Sequence, residues 1–193
     1  IADLNAEAES LLTGDWLLGL NISQQAIHLA RNEHDLTGLA QALRYKGMFL
    51  LRMGRYDEGI APLEESLNLC RSLSDTGLQI ACLRSIGWLH FRAERFELAL
   101  QSLQQAIELG RERANQSEEA HSVFSLGALH VFMSQFETAR DLFEQSLGLF
   151  REINDPTGMV SSLNNLAEMC SECELTEQAM THYKEAEMMA LAI

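Results

Sequence analysis

The stretch Leu83-Arg84-Ser85-Ile86-Gly87-Trp88-Leu89-His90, followed by Phe96-Glu97-Leu98-Ala99-Leu100 and Ala106-Ile107-Glu108-Leu109, returns at steps of 40 residues in both directions. One step back reads Leu43, Gly47, Tyr56, Gly59 and Ser66-Leu67-Asn68-Leu69. One step forward reads Val123, Gly127, Phe136, Ala139 and Ser146-Leu147-Gly148-Leu149. Two steps forward read Leu163, Ala167, Thr176, Ala179 and Ala186-Glu187-Met188-Met189. The second half also appears two steps back, at Gly14, Trp16, Gly19 and Ala26-Ile27-His28-Leu29. A fixed period without insertion is the mark of a repeat architecture, in which no unit can bury its apolar face alone.

The joints of the repeat are readable. Asp35, Asp75, Asn115 and Asp155 recur at the same step, each just before an apolar pattern of helical spacing. Their side-chain oxygens suit them to cap a helix by accepting an orphan backbone N–H. Pro156 after Asp155 fits the first helical position. Each repeat then predicts a first helix of about 15 residues by its apolar spacing. A tight turn follows, at Gly54-Arg55, Glu94-Arg95, Ser134-Gln135 or Glu174-Leu175. The second helix opens on Asp57, Glu97, Glu137 or Glu177, carboxylates that complement the helix dipole. Gly47, Gly87 and Gly127 inside first helices cost roughly 0.5–1 kcal/mol each against Ala. Gly59, Ala99, Ala139 and Ala179 supply small positions opposite, so the expected gain is a close antiparallel pair. The expected fold class is all-α, a right-handed α-solenoid of five stacked helix pairs. The repeats fall at about 1–34 (partial), 35–74, 75–114, 115–154 and 155–193, in a single domain.

These residues resemble the tetratricopeptide repeat. Leu83, Ile86, Gly87, Phe96, Ala99, Leu103 and Ala106 fill that motif in order, as do Val123, Leu126, Gly127, Phe136, Ala139, Phe143 and Ser146. The last repeat departs with Thr176 for the aromatic, the second has Lys46 before its Gly, and Arg71, Arg111 and Arg151 stand where a proline is usual. The 40-residue period is similar to the long-helix variety of spindle-orientation adaptors, kinesin light chains and bacterial signalling proteins. The resemblance implies first helices lining a concave surface that takes extended peptides or partner helices. It also implies a regulatory or sensor role in a larger bacterial signalling protein.

On the projected faces of the first helices stand Arg44, Met48 and Arg52, then Arg84, Trp88, Phe91 and Arg92, then His121 and Phe124, then Asn164. Arg44 and Arg84 are one period apart, as are Arg52 and Arg92, so the guanidinia form two columns. Guanidinium forks hold carboxylates in pairs. These residues predict a protein or peptide partner, acidic with apolar anchors. The competing expectation is that the arginines pair with nearby Glu, as surface cations commonly do. A structural scaffold for homodimerisation is the alternative function, with the apolar run Met188–Ile193 as contact.

The bulk numbers exclude other classes. The chain has 193 residues, 47% of them hydrophobic, and a net charge of −14. That charge opposes binding to nucleic acid or to an anionic membrane surface. No run is long and apolar enough to span a bilayer. Cys70, Cys82, Cys170 and Cys173 read as reduced thiols of a cytoplasmic protein. Cys170-Ser171-Glu172-Cys173 has no second ligand pair for zinc and no strand-to-helix setting for redox work. No phosphate-cradling glycine loop, Gly-x-Ser-x-Gly or His-Glu-x-x-His occurs. No cofactor, metal or enzymatic activity is expected. The abrupt start at Ile1 and the apolar end suggest a fragment of a longer protein.

Overall fold

The capping residues do what their positions demand. Asp35 accepts from the Gly38 N–H at 2.9 Å, Asp75 from Leu78 at 3.0 Å, Asn115 from Glu118 at 3.2 Å and Asp155 from Gly158 at 3.0 Å. Asp15 caps one further helix through Leu18 at 3.0 Å. A computed structural model describes residues 1–191; Ala192 and Ile193, the end of the expected apolar run, lie outside the described residues. It holds α1 (Ala2–Ser10), α2 (Trp16–Glu33), α3 (Leu36–Arg52), α4 (Tyr56–Leu73) and α5 (Thr76–Arg92). There follow α6 (Phe96–Glu112), α7 (Gln116–Phe132), α8 (Phe136–Glu152), α9 (Pro156–Glu172) and α10 (Thr176–Ala190). The fold is all-α, built of stacked antiparallel helix pairs of the solenoid type. Odd-numbered helices are the first, and even-numbered helices the second, of each pair.

The second helices α4, α8 and α10 have no side-chain cap; their acidic first turns face the exposed N–H groups instead. Helix ends close on a left-handed residue, at His34, Gly54, Ser74, Glu94, Ala114, Ser134, Asn154 and Glu174, with φ from 51° to 75°. The next N–H then returns into the last turn, as when Asp35 donates to the Ala30 carbonyl at 2.9 Å. Only Gly54 among these eight lacks a Cβ.

The chain divides into two compact units, Ile1–Ala106 and Ile107–Ile193. In the first unit, Ala8, Leu20, Ile22, Tyr45, Phe49 and Leu50 form one buried cluster, and Ala26, Ile27, Ala30, Leu39, Ala42 and Leu43 another. The predicted close approach is present. A Cβ on Gly47 would stand 2.5 Å from Leu63 Cγ and 3.1 Å from the Gly59 carbonyl oxygen, so α3 and α4 meet almost backbone to backbone. Between pairs, buried Ser66 donates to the Ala40 carbonyl at 2.6 Å and lies 3.2 Å from Cys82 Sγ.

In the second unit, Ala139, Phe143, Leu147, Leu163, Leu166, Met169 and Ala186 make the core. A Cβ on Gly127 would come 3.0 Å from the Phe143 ring. Buried Ser146 and Ser162 touch at 2.9 Å, in the positions that Ser66 and Cys82 hold in the first unit. A small polar pair thus marks two of the joints where a second helix passes to the next first helix. Each hydroxyl there has a partner, which spares the cost of an unmet buried donor, about 1–3 kcal/mol.

Candidate partner-binding face

In the first unit, Arg44, Met48 and Arg52 follow one another at four-residue spacing along α3. Four residues advance about one helical turn, so they share a face. Arg84, Trp88 and Arg92 do the same on α5, and α3 contacts α5 directly. Arg44 is half-buried. Its guanidinium lies 4.6 Å from the Tyr45 ring centroid and donates to Met48 Sδ at 3.0 Å, while its Nε is buried without a partner. Arg92 donates to the Tyr56 hydroxyl at 3.1 Å and sits 5.7 Å over that ring. Arg52 is exposed. Among the described residues no carboxylate pairs with Arg44, Arg52 or Arg92. Arg84 is half-buried and engaged within the chain.

Six other arginines of this acidic chain are paired with carboxylates, whereas exposed Arg71 and Arg113 are not, among the described residues. Arg31 holds Glu65 at 2.8 Å, Arg55 holds Glu58 at 2.6 Å and Arg95 holds Asp57 at 2.5 Å. In the second unit Arg111 holds Glu119 at 2.7 Å and Arg151 holds Glu185 at 2.6 Å, while Arg140 lies 3.0 Å from Asp141. The expectation that the face arginines pair internally fails for Arg44, Arg52 and Arg92. A guanidinium packed on a phenol ring has lost part of its water without gaining a counter-charge. A carboxylate arriving there makes a charge-assisted bond of about 1.5–3 kcal/mol.

The aromatic residues are more recessed than their spacing suggests. Trp88 is half-buried and meets Phe91 edge-on, with centroids 5.5 Å apart. Phe91 was expected on the exposed face, yet it is 9% exposed, its ring turned toward Phe96 at 6.1 Å. It therefore supports Trp88 from below. Tyr45 is buried beneath Arg44, and burial pushes its hydroxyl above the usual range while Arg44 works against that.

In the second unit, His121 packs 5.0 Å from the Phe150 ring and places Nε2 3.9 Å from the Asp155 carboxylate. Phe124 leans on Phe143 at 5.3 Å and joins the core margin. Phe132 is 66% exposed. Asn164 is exposed on α9, one helical turn from exposed Glu168 and two from Glu172. His121, Phe124 and Asn164 thus belong to a face without the open guanidinia of the first unit.

The helical spacing of apolar residues gave no sign of a groove of about 360 Å³ on the opposite side of the first unit. Its walls are second helices: Glu64, Asn68 and Arg71 on α4, and Leu98, Gln101, Ser102 and Gln105 on α6. Leu83, Ile86 and His90 of α5 form its floor. Burial, then nearby Arg95, holds the His90 imidazole below its ordinary pKa. The one available signal was the pair of carboxamides one turn apart, Gln101 and Gln105.

Among the described residues no cluster of three or more His, Cys, Asp or Glu is arranged for a metal ion, and no helix is long and apolar enough to cross a membrane. The four cysteines are free thiols, with Cys70, Cys82 and Cys170 buried.

The tetratricopeptide repeat family matches residues 38–112, and the family described as anaphase-promoting complex subunit 5 matches 14–53 and 88–173. Together the two matches run without a gap from 14 to 173. The chain belongs to the tetratricopeptide repeat family, and the subunit 5 family matches it over most of its length. Among curated proteins, none matches it by sequence. Among solved structures it is similar to BtubC (BKLC) from P. vanneervenii, at 16% identity and TM-score 0.78, over 98% of this chain and 79% of that one. It is similar to a Rap protein complexed with Competence and Sporulation Factor, at 14% identity and TM-score 0.76, over 98% of this chain and 63% of that one. MamA gives 17% identity and TM-score 0.62, over 96% of this chain and 95% of that one. At these identities the likeness is one of fold.

Proposed function

We propose that this chain is a protein–protein interaction module whose first-helix face takes an acidic peptide or partner segment with apolar anchors. The observation that carries this reading is the trio Arg44, Arg52 and Arg92, left without carboxylates in a chain of net charge −14. Ligand carboxylates supply the missing partners, and an apolar side chain packs on half-buried Trp88. His121, Phe124 and Asn164 are the proposed contact residues of the second unit, taken by itself. Membership in the repeat family supports a binding role rather than a catalytic one, and the Rap neighbour was solved with a bound factor. The proposed setting is a regulatory part of a larger, cytoplasmic bacterial signalling protein.

The test is fluorescence anisotropy with a labelled peptide alternating Glu with Leu. Arg44→Ala or Arg92→Ala is expected to weaken binding about tenfold, equal to roughly 1.4 kcal/mol. Arg151→Ala, whose guanidinium is already held by Glu185, is expected to leave it unchanged. Unaltered affinity in Arg44→Ala, Arg52→Ala and Arg92→Ala alike ends the reading. A scaffold role through homodimerisation draws on exposed Met180, Tyr183, Met188 and Leu191 at the α10 side of the second unit. Sedimentation at rising concentration, with Met188→Glu as control, decides that alternative.

A further inference from the structure

The groove between α4 and α6 has a chemistry unlike the arginine face. Its walls carry one acid, Glu64, and one distal base, Arg71; the other polar groups are uncharged. Gln101 and Gln105 are exposed, and their carboxamides have no partner among the described residues. Across the groove, Asn68 accepts from Arg71 at 3.3 Å, which leaves its amide N–H groups directed elsewhere. A carboxamide offers a donor and an acceptor on one rigid plane, the same pair that a peptide unit offers. The floor is Leu83 and Ile86, with Leu67 beside them, and the His90 imidazole, whose Nδ1 is buried without a partner among the described residues.

The spacing adds a second argument. Gln101 and Gln105 stand four residues apart, a rise of about 6 Å along the helix. Two residues of an extended chain advance about 6.6 Å. An extended segment laid along α6 therefore brings every second peptide unit to a carboxamide and turns alternate side chains onto the floor. With one acid and one base in its lining, the groove presents no net charge to select a charged occupant.

We propose that this groove is a second docking site, for an extended, uncharged segment of a partner protein, read through its backbone by Gln101, Gln105 and Asn68. The site is separate from the arginine face and does not depend on it. Binding here is insensitive to salt, because no ion pair forms.

The experiment titrates the isotopically labelled full chain with an acetylated, amidated nonapeptide in which Val alternates with Ser and Thr. Saturable shifts are expected in the side-chain amides of Asn68, Gln101 and Gln105 and in the methyl groups of Leu83 and Ile86. Replacing both glutamines, Gln101→Ala with Gln105→Ala, is expected to weaken binding at least about fivefold, as the loss of two modest hydrogen bonds implies. Both positions are exposed on a helix and Ala is a good helix former, so the variant folds. Arg44→Ala with Arg92→Ala is expected to leave the nonapeptide's affinity unchanged. Absence of saturable shifts, shifts centred on Arg44 and Arg92, or an affinity unmoved by the double glutamine replacement each overturns the proposal. Failure of the acidic peptide to bind bears on the first-helix face alone.

Discussion

The first and second units are built from the same repeat, yet only the first carries arginines on its first helices. In the second unit Arg111, Arg140 and Arg151 are neutralised by Glu119, Asp141 and Glu185. In the first unit Arg31, Arg55 and Arg95 are neutralised too, but Arg44, Arg52 and Arg92 on the first-helix face are not. On α9 of the second unit the matching face shows Asn164, Glu168 and Glu172. The packing positions of the motif thus repeat, and the positions of this face do not. Apolar and small residues repeat because each pair must pack, while the face residues vary without cost to packing.

The comparison breaks most visibly in the cores. Phe143→Ala, which empties a fully buried site against Phe124 and Gly127, is expected to cost about 3–5 kcal/mol. Both tryptophans, Trp16 and Trp88, lie in the first unit, so their fluorescence reports that unit alone. In urea, the variant's circular dichroism is expected to begin falling before the tryptophan signal moves. Coincident curves would show the two units unfolding as one.

A smaller effect sharpens the contrast of charge. Raising ionic strength from about 0.05 to 0.5 M shortens the screening length from roughly 14 to 4 Å. The affinity for the Glu-Leu peptide is expected to drop about tenfold over that range. An affinity flat in salt would show that the open guanidinia take no part.

Smaller still is the correction of helix ends. Ala114 and Ser74 hold φ of 51° and 57°, where a Cβ costs about 1 kcal/mol. Ala114→Gly and Ser74→Gly are expected to gain roughly 0.5–1 kcal/mol in chemical denaturation. Asn154→Gly should gain less, since Asn tolerates that region. Equal gains at all three would show that Asn154 is strained there as much as Ala114 and Ser74.

The slightest effect is one of pH. Burial lowers the folded-state pKa of His90, so below pH 6.5 the unfolded chain takes up the proton first. Stability is therefore expected to decline as pH falls from 7 toward 5 and to level off below the folded pKa. His90→Gln should flatten that slope in a urea midpoint series; an unchanged slope would place its origin elsewhere.

The helix pairs, their caps and the close approach at Gly47 and Gly127 were legible because each is a local requirement repeated every 40 residues. Which arginines stay open was not legible. The pairs Arg31–Glu65, Arg95–Asp57 and Arg151–Glu185 join residues 34 to 38 apart, and their contact depends on how one helix is set against the next. The depth of Phe91 was missed for a related reason. Helical projection sets it beside Arg92, but Phe96 across the turn draws the ring inward. The α4–α6 groove lies between elements of different repeats, so no single period displays it.

The recurring joints have a genetic corollary. A left-handed residue and a capping Asp or Asn recur wherever one copy hands over to the next. Tandem duplication of any forty-codon block would bring its own coupling with it, so such an array can lengthen in whole units without inventing a new junction.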